Sequence, residues 1–212
     1  MVMLDVGQGD GIYLQSSAGD HFFIDGGSTD VTKVGTYRIL PFLKYHGIRK
    51  IDYWFVSHTD LDHIKGLQEC LESGYEIEHL VFAKAQKEGV EDGDAMEKLI
   101  QTAKRQGSQI LYMEVGDRLI SGDLRLQCVG PTQAISRDFA ADCNAMSLCL
   151  LLTCGDFQGL FTGYIAMDQE AFLGAEVQSA LEENGTLVFL KVAHHGSKYS
   201  SGEDFLDALA PK

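Results

Sequence analysis

Apolar residues recur along the chain in short runs that alternate between a strand period and a helix period. Dense or alternating apolar positions predict strands, and apolar positions three to four residues apart predict helices. The runs 11–15 and 21–25 flank the polar turn 16–20 and predict a β-hairpin. A helical pattern over 37–44 follows, and Gly47 is a suitable C-terminal cap.

The remaining runs continue this alternation to the end of the chain. Strands are predicted at 52–57, 79–83, 109–114, 118–129 (as a pair), 147–153, 159–163 and 187–193, and helices from about 64 to 72 and at 94–106, 168–178 and 202–209. The segments 58–63 and 130–144 are predicted as polar loops. Because hairpins and βαβ-like alternation are mixed, the pattern excludes a doubly wound parallel sheet throughout. It favours an α/β (mixed α+β) chain with two mixed sheets and helices outside them.

Length and composition place the chain among globular domains. It has 212 residues, of which 45% are hydrophobic and 23% charged, which excludes a disordered or fibrous protein. No apolar run approaches the ~18 residues of a membrane span, and Asp5 and Asp10 lie where a signal peptide would be apolar. We expect a single domain over 1–212. Since both ends abut predicted elements, we expect it to be excised from a longer protein and truncated at its C-terminus.

The net charge of −14 narrows the set of partners. It argues against tight nucleic-acid binding driven by the surface as a whole, because such binding relies on Lys and Arg. It leaves phosphate chemistry at a bound cation open. The five cysteines form no Cys-x-x-Cys pair, which argues against a structural zinc ribbon, and we expect most of them to be small core residues.

The densest candidate chemistry is the segment His58-Thr59-Asp60-Leu61-Asp62-His63, which follows a predicted buried strand. It offers two imidazoles and two carboxylates within six residues. This donor set suits zinc, manganese or iron better than a calcium cage. Alternatively, the segment is a solvated acidic loop that opens a helix, with Asp62 near the helix N-terminus.

Two further segments end predicted strands with polar residues. His194 and His195 follow an apolar strand, and we expect His194 to face a common site, with His195 as its rival. The alternative is that the two histidines form a satisfied pair on the protein surface. Asp25 precedes two glycines at the end of another strand and could orient metal-bound histidines, although it could equally cap the turn.

Together these motifs resemble the metallo-β-lactamase superfamily, whose signature is His-x-His-x-Asp-His. Asp60 stands where that signature has its second histidine. With the segment Asp5–Asp10 and the run His194-His195-Gly196-Ser197, the chain is similar to the metallo-β-lactamase-like domain of the ComEC family of DNA-internalisation competence proteins. The resemblance covers nearly the whole chain and implies a four-layer αβ/βα sandwich.

The resemblance also implies a function and a ligand set. The superfamily hydrolyses esters, amides and phosphodiesters with metal-activated water, and the ComEC domain is proposed to degrade the DNA strand that is not taken up. His58, Asp60, Asp62, His63 and His194 would hold zinc or manganese, and Asp62 and His63 would be catalytic. Supporting or substrate-contacting roles fall to Asp25, Asn144, Tyr164, His195 and Ser197.

Two positions depart from the superfamily pattern. Tyr164 replaces the aspartate that usually bridges two metals, and a neutral phenol is a poor bridge. Asn144 lies where the superfamily has a histidine, as is common in the ComEC branch, and the chain ends before the region that supplies a final histidine. We therefore expect at most one tight metal site.

Three functions remain open from the sequence. The leading one is a phosphodiesterase or nuclease acting on DNA. The alternatives are a soluble hydrolase of a small ester or phosphodiester, and a degenerate domain without catalysis. The resemblance implies a parent protein in the plasma membrane, with a membrane channel outside this chain and a soluble domain outside the cytoplasm.

Overall fold

A computed structural model describes residues 1–88, 93–181 and 185–211. The chain forms two compact units: unit 1 comprises Met1–Phe82 and Asp92–Tyr112, and unit 2 comprises Ala83–Glu91 and Met113–Lys212. Two sheets, each of mixed strand direction, carry the fold. The mixed α/β class predicted from the sequence is confirmed.

The sheet of unit 1 has its strands in sequence order. These are β1 (Val2–Met3), β2 (Gly11–Gln15), β3 (His21–Asp25), β4 (Lys50–Phe55), β5 (Glu76–Ala83) and β6 (Gln109–Met113). β2 is antiparallel to both of its neighbours, β1 and β3, as the predicted hairpin requires. β3, β4 and β5 are parallel, so their carboxyl ends lie at the same edge of the sheet.

Helices cover one face of this sheet and bury its apolar residues. They are a π-helical segment (Gly35–Ile39) that continues into α1 (Leu40–Tyr45), α2 (Leu61–Glu72) and α4 (Gly93–Arg105). The rings of Phe23 and Trp54 stack at 4.4 Å on the sheet, and Leu43, Leu67 and Leu99 of the helices belong to the same buried cluster. Apolar burial of this kind is the main stabilising contribution to the unit.

Unit 2 contains the second sheet and the remaining helices. Its strands are β7 (Arg118–Ser121), β8 (Leu124–Gly130), β9 (Cys149–Cys154), β10 (Phe157–Phe161) and β11 (Phe189–Lys191), in the order β11-β10-β9-β8-β7. Its helices are α3 (Lys84–Glu88), α5 (Gln133–Asp138), α6 (Met167–Ala180), a 3₁₀ segment (Ala193–Gly196) and α7 (Glu203–Leu209). All strand pairs are antiparallel except β10 with β11. Leu151, Leu173 and Phe205 bring strand and helices into one buried cluster.

The structure corrects two predicted loops. The segment 58–63 is not loop throughout, because the carbonyl of Asp60 accepts hydrogen bonds from the amides of His63 and Ile64 and starts α2 at Leu61. The segment 130–144 is not irregular throughout, because it contains α5. Thr132 caps that helix by accepting a hydrogen bond from the amide of Ile135, whose side chain is fully buried.

The predicted strand 187–193 is shorter in the structure. β11 ends at Lys191, and His194 and His195 lie in a turn with left-handed backbone (φ 49° and 53°). The alternation rule for strand side chains therefore does not apply to this pair, and it cannot be used to choose between them. Consecutive left-handed residues other than glycine are strained, which is common at functional sites.

All five cysteines are free thiols, and Cys70, Cys128 and Cys149 are buried, in line with the expected core role. Burial raises the pKa of the Cys70 and Cys128 thiols to about 12. Among the described residues, no helix combines the length and apolarity needed to cross a membrane.

The buried side of α2 should carry much of the stability of unit 1. Leu67→Ala removes a fully buried side chain and should lower the free energy of unfolding by about 2–5 kcal/mol. Leu61→Ala makes the same change on the same helix at a side chain that is 58% exposed, and should change it by less than about 0.5 kcal/mol. Urea unfolding followed by circular dichroism measures both. Equal losses in the two variants would contradict this packing.

Candidate metal centre

The candidate site of unit 1 lies where β3, β4 and α2 meet. Asp25 ends β3, and Ser57 and His58 follow the end of β4. Asp62 and His63 lie in the first turn of α2. Because parallel strands end at the same sheet edge, residues 30 to 40 positions apart in sequence become neighbours.

Asp25 connects the parts of this site. Its carboxylate accepts hydrogen bonds from the amide of Ser57 (2.7 Å), the hydroxyl of Ser57 (2.8 Å) and Nδ1 of His63 (2.8 Å). Its backbone is left-handed (φ 58°), and Trp54 Nε1 donates to its carbonyl at 2.6 Å. A non-glycine residue keeps such a conformation only when its surroundings enforce it, and here four hydrogen bonds do so.

Glycines allow two loops to pack directly on the start of α2. A Cβ on Gly27 would collide with the backbone of Asp62 and His63, and one on Gly9 would collide with that of Gly27 and Asp62. The amide of Asp10 donates to the carbonyl of Asp62, and the amide of Gly27 donates to that of Asp10. The glycine-rich segment near the N-terminus therefore holds the first turn of α2 in place.

Three side chains converge with their potential ligand atoms within 4.8 Å of one another: His58, Asp62 and His63. All three are buried, and the two imidazole centroids are 4.0 Å apart. Since Nδ1 of His63 bonds Asp25, its Nε2 is the nitrogen left for a metal, and it lies 3.9 Å from Asp62 Oδ2. Two imidazoles, a carboxylate and a supporting aspartate suit a divalent ion such as zinc.

The charges of the site oppose the effect of burial. Burial alone would raise the pKa of Asp25, but the charge and hydrogen bond of His63 keep it below its usual value. Burial alone would lower the pKa of His63, whereas Asp25, with Asp10 and Asp62, raises it. Burial and the neighbouring His63 lower the pKa of His58. The carboxylates around His63 favour a positive charge at this place, and a bound cation would supply that charge instead of a proton on the ring.

Asp60, which the sequence places among the ligands, borders this cluster. Its Oδ2 lies 3.6 Å from Nε2 of His58, and its side chain is 45% exposed. The neighbouring His58 lowers the pKa of Asp60. It can orient His58 from the solvent side, and its role as a ligand stays a prediction.

The predicted site residues of unit 2 form a second group. Tyr164 is buried and stacks on His194 (centroids 4.0 Å apart, planes at 15°), with His195 edge-on at 5.2 Å. The amide of Tyr164 donates to the hydroxyl of Ser147 at 3.0 Å. The loop before Ser147 carries Asn144, whose carbonyl accepts from the amide of Ser147.

The turn that carries the two histidines is fixed by backbone hydrogen bonds. The amide of His194 donates to the carbonyl of Gly163, and the amide of Ser197 donates to that of His194. Both histidines are partly exposed, so burial does not distinguish them. The choice of His194 over His195 stays a prediction.

Sequence reasoning missed two contributors to the site of unit 1. The hydroxyl of Ser57 lies 3.0 Å from Nδ1 of His58 and 3.2 Å from that of His63, besides its bond to Asp25. Asp10 is buried, with Oδ2 3.9 Å from Nδ1 of His63. Ser57 directly precedes the motif and Asp10 ends the glycine-rich segment, so their positions were signals that could have been used.

Solved structures share this architecture. A metallo-β-lactamase with a HARLDQ motif from Cronobacter sakazakii is 15% identical with a TM-score of 0.53, and the alignment covers 85% of this chain and 70% of that one. An archaeal metallo-β-lactamase superfamily protein from Sulfolobus tokodaii is 17% identical with a TM-score of 0.53, and covers 89% and 78%. The chain therefore has the metallo-β-lactamase fold.

One protein resembles the chain in sequence. The chain is 30% identical to ComE operon protein 3 of Bacillus subtilis over 223 residues, which fits the resemblance to the ComEC branch. That alignment covers 99% of this chain and 27% of the relative, so the chain spans about a quarter of its length. No family model matches the chain.

The Asp25–His63 contact should govern metal affinity. Asp25→Asn removes the charge that raises the pKa of His63, so that pKa should fall, and zinc affinity should fall about 10- to 100-fold. Proton NMR titration of the metal-free protein and competition with a chromogenic chelator measure the two effects. Asp5→Asn removes one charge from an exposed side chain and should change neither. An unaltered His63 pKa together with unaltered affinity in Asp25→Asn would refute the role.

Proposed function

We propose that the chain is a metal-dependent hydrolase that cleaves a phosphodiester, with DNA as its substrate. The observation that carries the proposal is the convergence of His58, Asp62 and His63, with Asp25 behind His63. A divalent ion held there would acidify a water and offset charge on a phosphate oxygen. The fold supports hydrolysis, and the resemblance to the ComEC branch, which the match to ComE operon protein 3 fits, supports DNA as the substrate.

In this proposal each side chain of the candidate metal centre in unit 1 has a distinct role. His58 and His63 donate neutral nitrogens, and Asp25 fixes the ring of His63 by accepting from Nδ1. Asp62, in the first turn of α2, supplies a carboxylate that would bind the metal and orient the attacking water. The resemblance adds His194 to the ligands and His195, Asn144 and Ser197 to the residues near the substrate.

The greater length of the relative supports a further part of the proposal, in which this domain belongs to a larger protein. The parent protein lies in the plasma membrane, carries this domain outside the cytoplasm, and provides a membrane channel beside it. Cleavage outside the cell fits a domain that acts on DNA before or during uptake.

Hydrolysis tests the proposal directly. The protein purified without chelator should cleave DNA and bis(4-nitrophenyl) phosphate when zinc or manganese is added. Asp62→Asn should lower kcat/KM by about 100-fold or more with its circular dichroism spectrum unchanged, because it keeps the size of the side chain and removes its charge. Asp207→Asn, which makes the same substitution at an exposed aspartate of α7, is the matched control.

Three results would decide among the functions. Cleavage of the small diester but not of DNA favours a hydrolase of small substrates. Absence of hydrolysis at saturating metal favours a degenerate domain. Equal activity in Asp62→Asn and the parent removes Asp62 from the catalytic set.

The number of metals follows from Tyr164 in the same proposal. Two cations about 3.5–4 Å apart repel each other and need shared anionic ligands, and a phenol stands where the resemblance puts the bridging aspartate. The chain should therefore bind one metal tightly at most. Tyr164→Asp should add a second binding event in titration calorimetry and raise hydrolysis.

Tyr164→Phe is the control for the metal count, since it keeps the ring that stacks on His194. It should bind metal with the parent's stoichiometry. Two equally tight sites in the parent protein would overturn this part of the proposal.

A further inference from the structure

Charge is distributed very unevenly along this acidic chain. The segment 31–51 contains no Asp or Glu and five Lys or Arg, while the other 191 residues carry all 31 acidic residues and only 12 basic ones. The segment contains the π-helical segment, α1, the turn that follows and the first two residues of β4, all in unit 1. A local surface of opposite sign can bind a polyanion although the whole chain repels it.

Exposed basic residues and aromatic rings lie along the helical segment Gly35–Tyr45 and just beyond its two ends. We call this surface the basic face, and its members are Lys33, Tyr37, Arg38, Lys44, Tyr45 and Arg49, all exposed. Tyr37 is 61% exposed and Tyr45 is 87% exposed, so neither ring packs in the core. The apolar residues of the same helix, Ile39, Leu40 and Leu43, face the core instead.

The cations of the basic face are available to an external anion. In the described part of the chain, no ion pair involves Lys33, Arg38, Lys44 or Arg49. Lys50, the fifth cation of the segment, is different, because it is paired with Asp52 and Glu78. The bordering carboxylate of Glu69 is used by the amide and hydroxyl of Thr36.

The helix that carries the basic face contacts α2 close to the candidate metal centre. Gly35 packs on the backbone of Gly66, where a Cβ would collide with the Gly66 carbonyl. Gly66 lies about one turn, roughly 5 Å along α2, beyond His63. A chain of phosphates could therefore extend from the metal centre onto the basic face within unit 1.

We propose that the basic face binds single-stranded nucleic acid and holds the strand that enters the metal centre. Lys and Arg side chains neutralise the backbone phosphates, while Tyr37 and Tyr45 offer surfaces on which unpaired bases stack. A duplex keeps its bases inside and cannot use the tyrosines. A membrane surface fits less well, because an interfacial helix needs an apolar outer face and this one turns its aliphatic residues inward.

The inference extends the proposed function, and its test is independent of hydrolysis. Binding of a short fluorescein-labelled oligothymidylate is measured by fluorescence anisotropy in EDTA over a series of salt concentrations. Arg38→Glu/Lys44→Glu should weaken binding at least about tenfold and reduce the magnitude of the log–log salt slope by about 1.4. Lys98→Glu/Lys104→Glu makes the same charge change on exposed residues of α4 and should leave binding within about twofold.

The tyrosines are tested separately from the charges. Tyr37→Ala/Tyr45→Ala should weaken binding about fivefold or more without changing the salt slope, and Tyr37→Phe/Tyr45→Phe should restore it. Because both rings are exposed, the two double variants of Tyr37 and Tyr45 should keep the urea unfolding midpoint of the unsubstituted chain.

Several outcomes would overturn the inference. They are equal loss in the α4 control, unchanged binding in the basic-face variants, no binding by the parent at low salt, or tighter binding to vesicles of phosphatidylserine and phosphatidylcholine than to the oligonucleotide. Hydrolysis of bis(4-nitrophenyl) phosphate separates this result from the proposed function. If neither the unsubstituted chain nor any variant hydrolyses this diester while oligothymidylate binding changes as expected, the proposed function fails and the inference stands. If hydrolysis is normal and binding is unaffected, the inference fails alone.

Discussion

The buried carboxylate of Asp25 is the contact on which the candidate metal centre of unit 1 depends. It joins the end of β3 to the turn after β4 through Ser57, and to the first turn of α2 through His63. Its left-handed backbone is held by these bonds and by the indole of Trp54 in the core. Packing of the sheet thereby sets the orientation of a metal-binding ring, since an imidazole bonded through Nδ1 presents Nε2 to the site.

Local patterns predicted much of the fold because they depend on neighbouring residues. The hairpin β2–β3 and helix α4 follow directly from apolar spacing and turn residues. The start of α2 did not, because the histidine motif contains few apolar residues and the helix begins inside it through the carbonyl of Asp60. The left-handed turn at His194 and His195 was also missed, since nothing in two adjacent histidines signals positive φ.

The candidate site was predicted in part for a related reason. His58, Asp62 and His63 are close in sequence, so their spacing alone brought them together. Asp25 was found by its glycines and by its place at a strand end. Ser57 and Asp10 act through contacts set by tertiary packing, so only their positions, beside the histidine motif and at the end of the glycine-rich segment, could have pointed to them. The basic face shows the same limit, because net charge describes the whole chain and hides a surface of opposite sign.

Anomalous diffraction at the zinc absorption edge, from crystals of the unsubstituted chain grown with zinc, tests the candidate metal centre most directly. We expect an anomalous peak at about 2.0–2.2 Å from a nitrogen of His58, Nε2 of His63 and a carboxylate oxygen of Asp62. That peak should be absent in Asp62→Asn crystals at the same zinc concentration. An anomalous peak only at another position, with none among these three side chains at saturating zinc, would show that they do not form a metal centre.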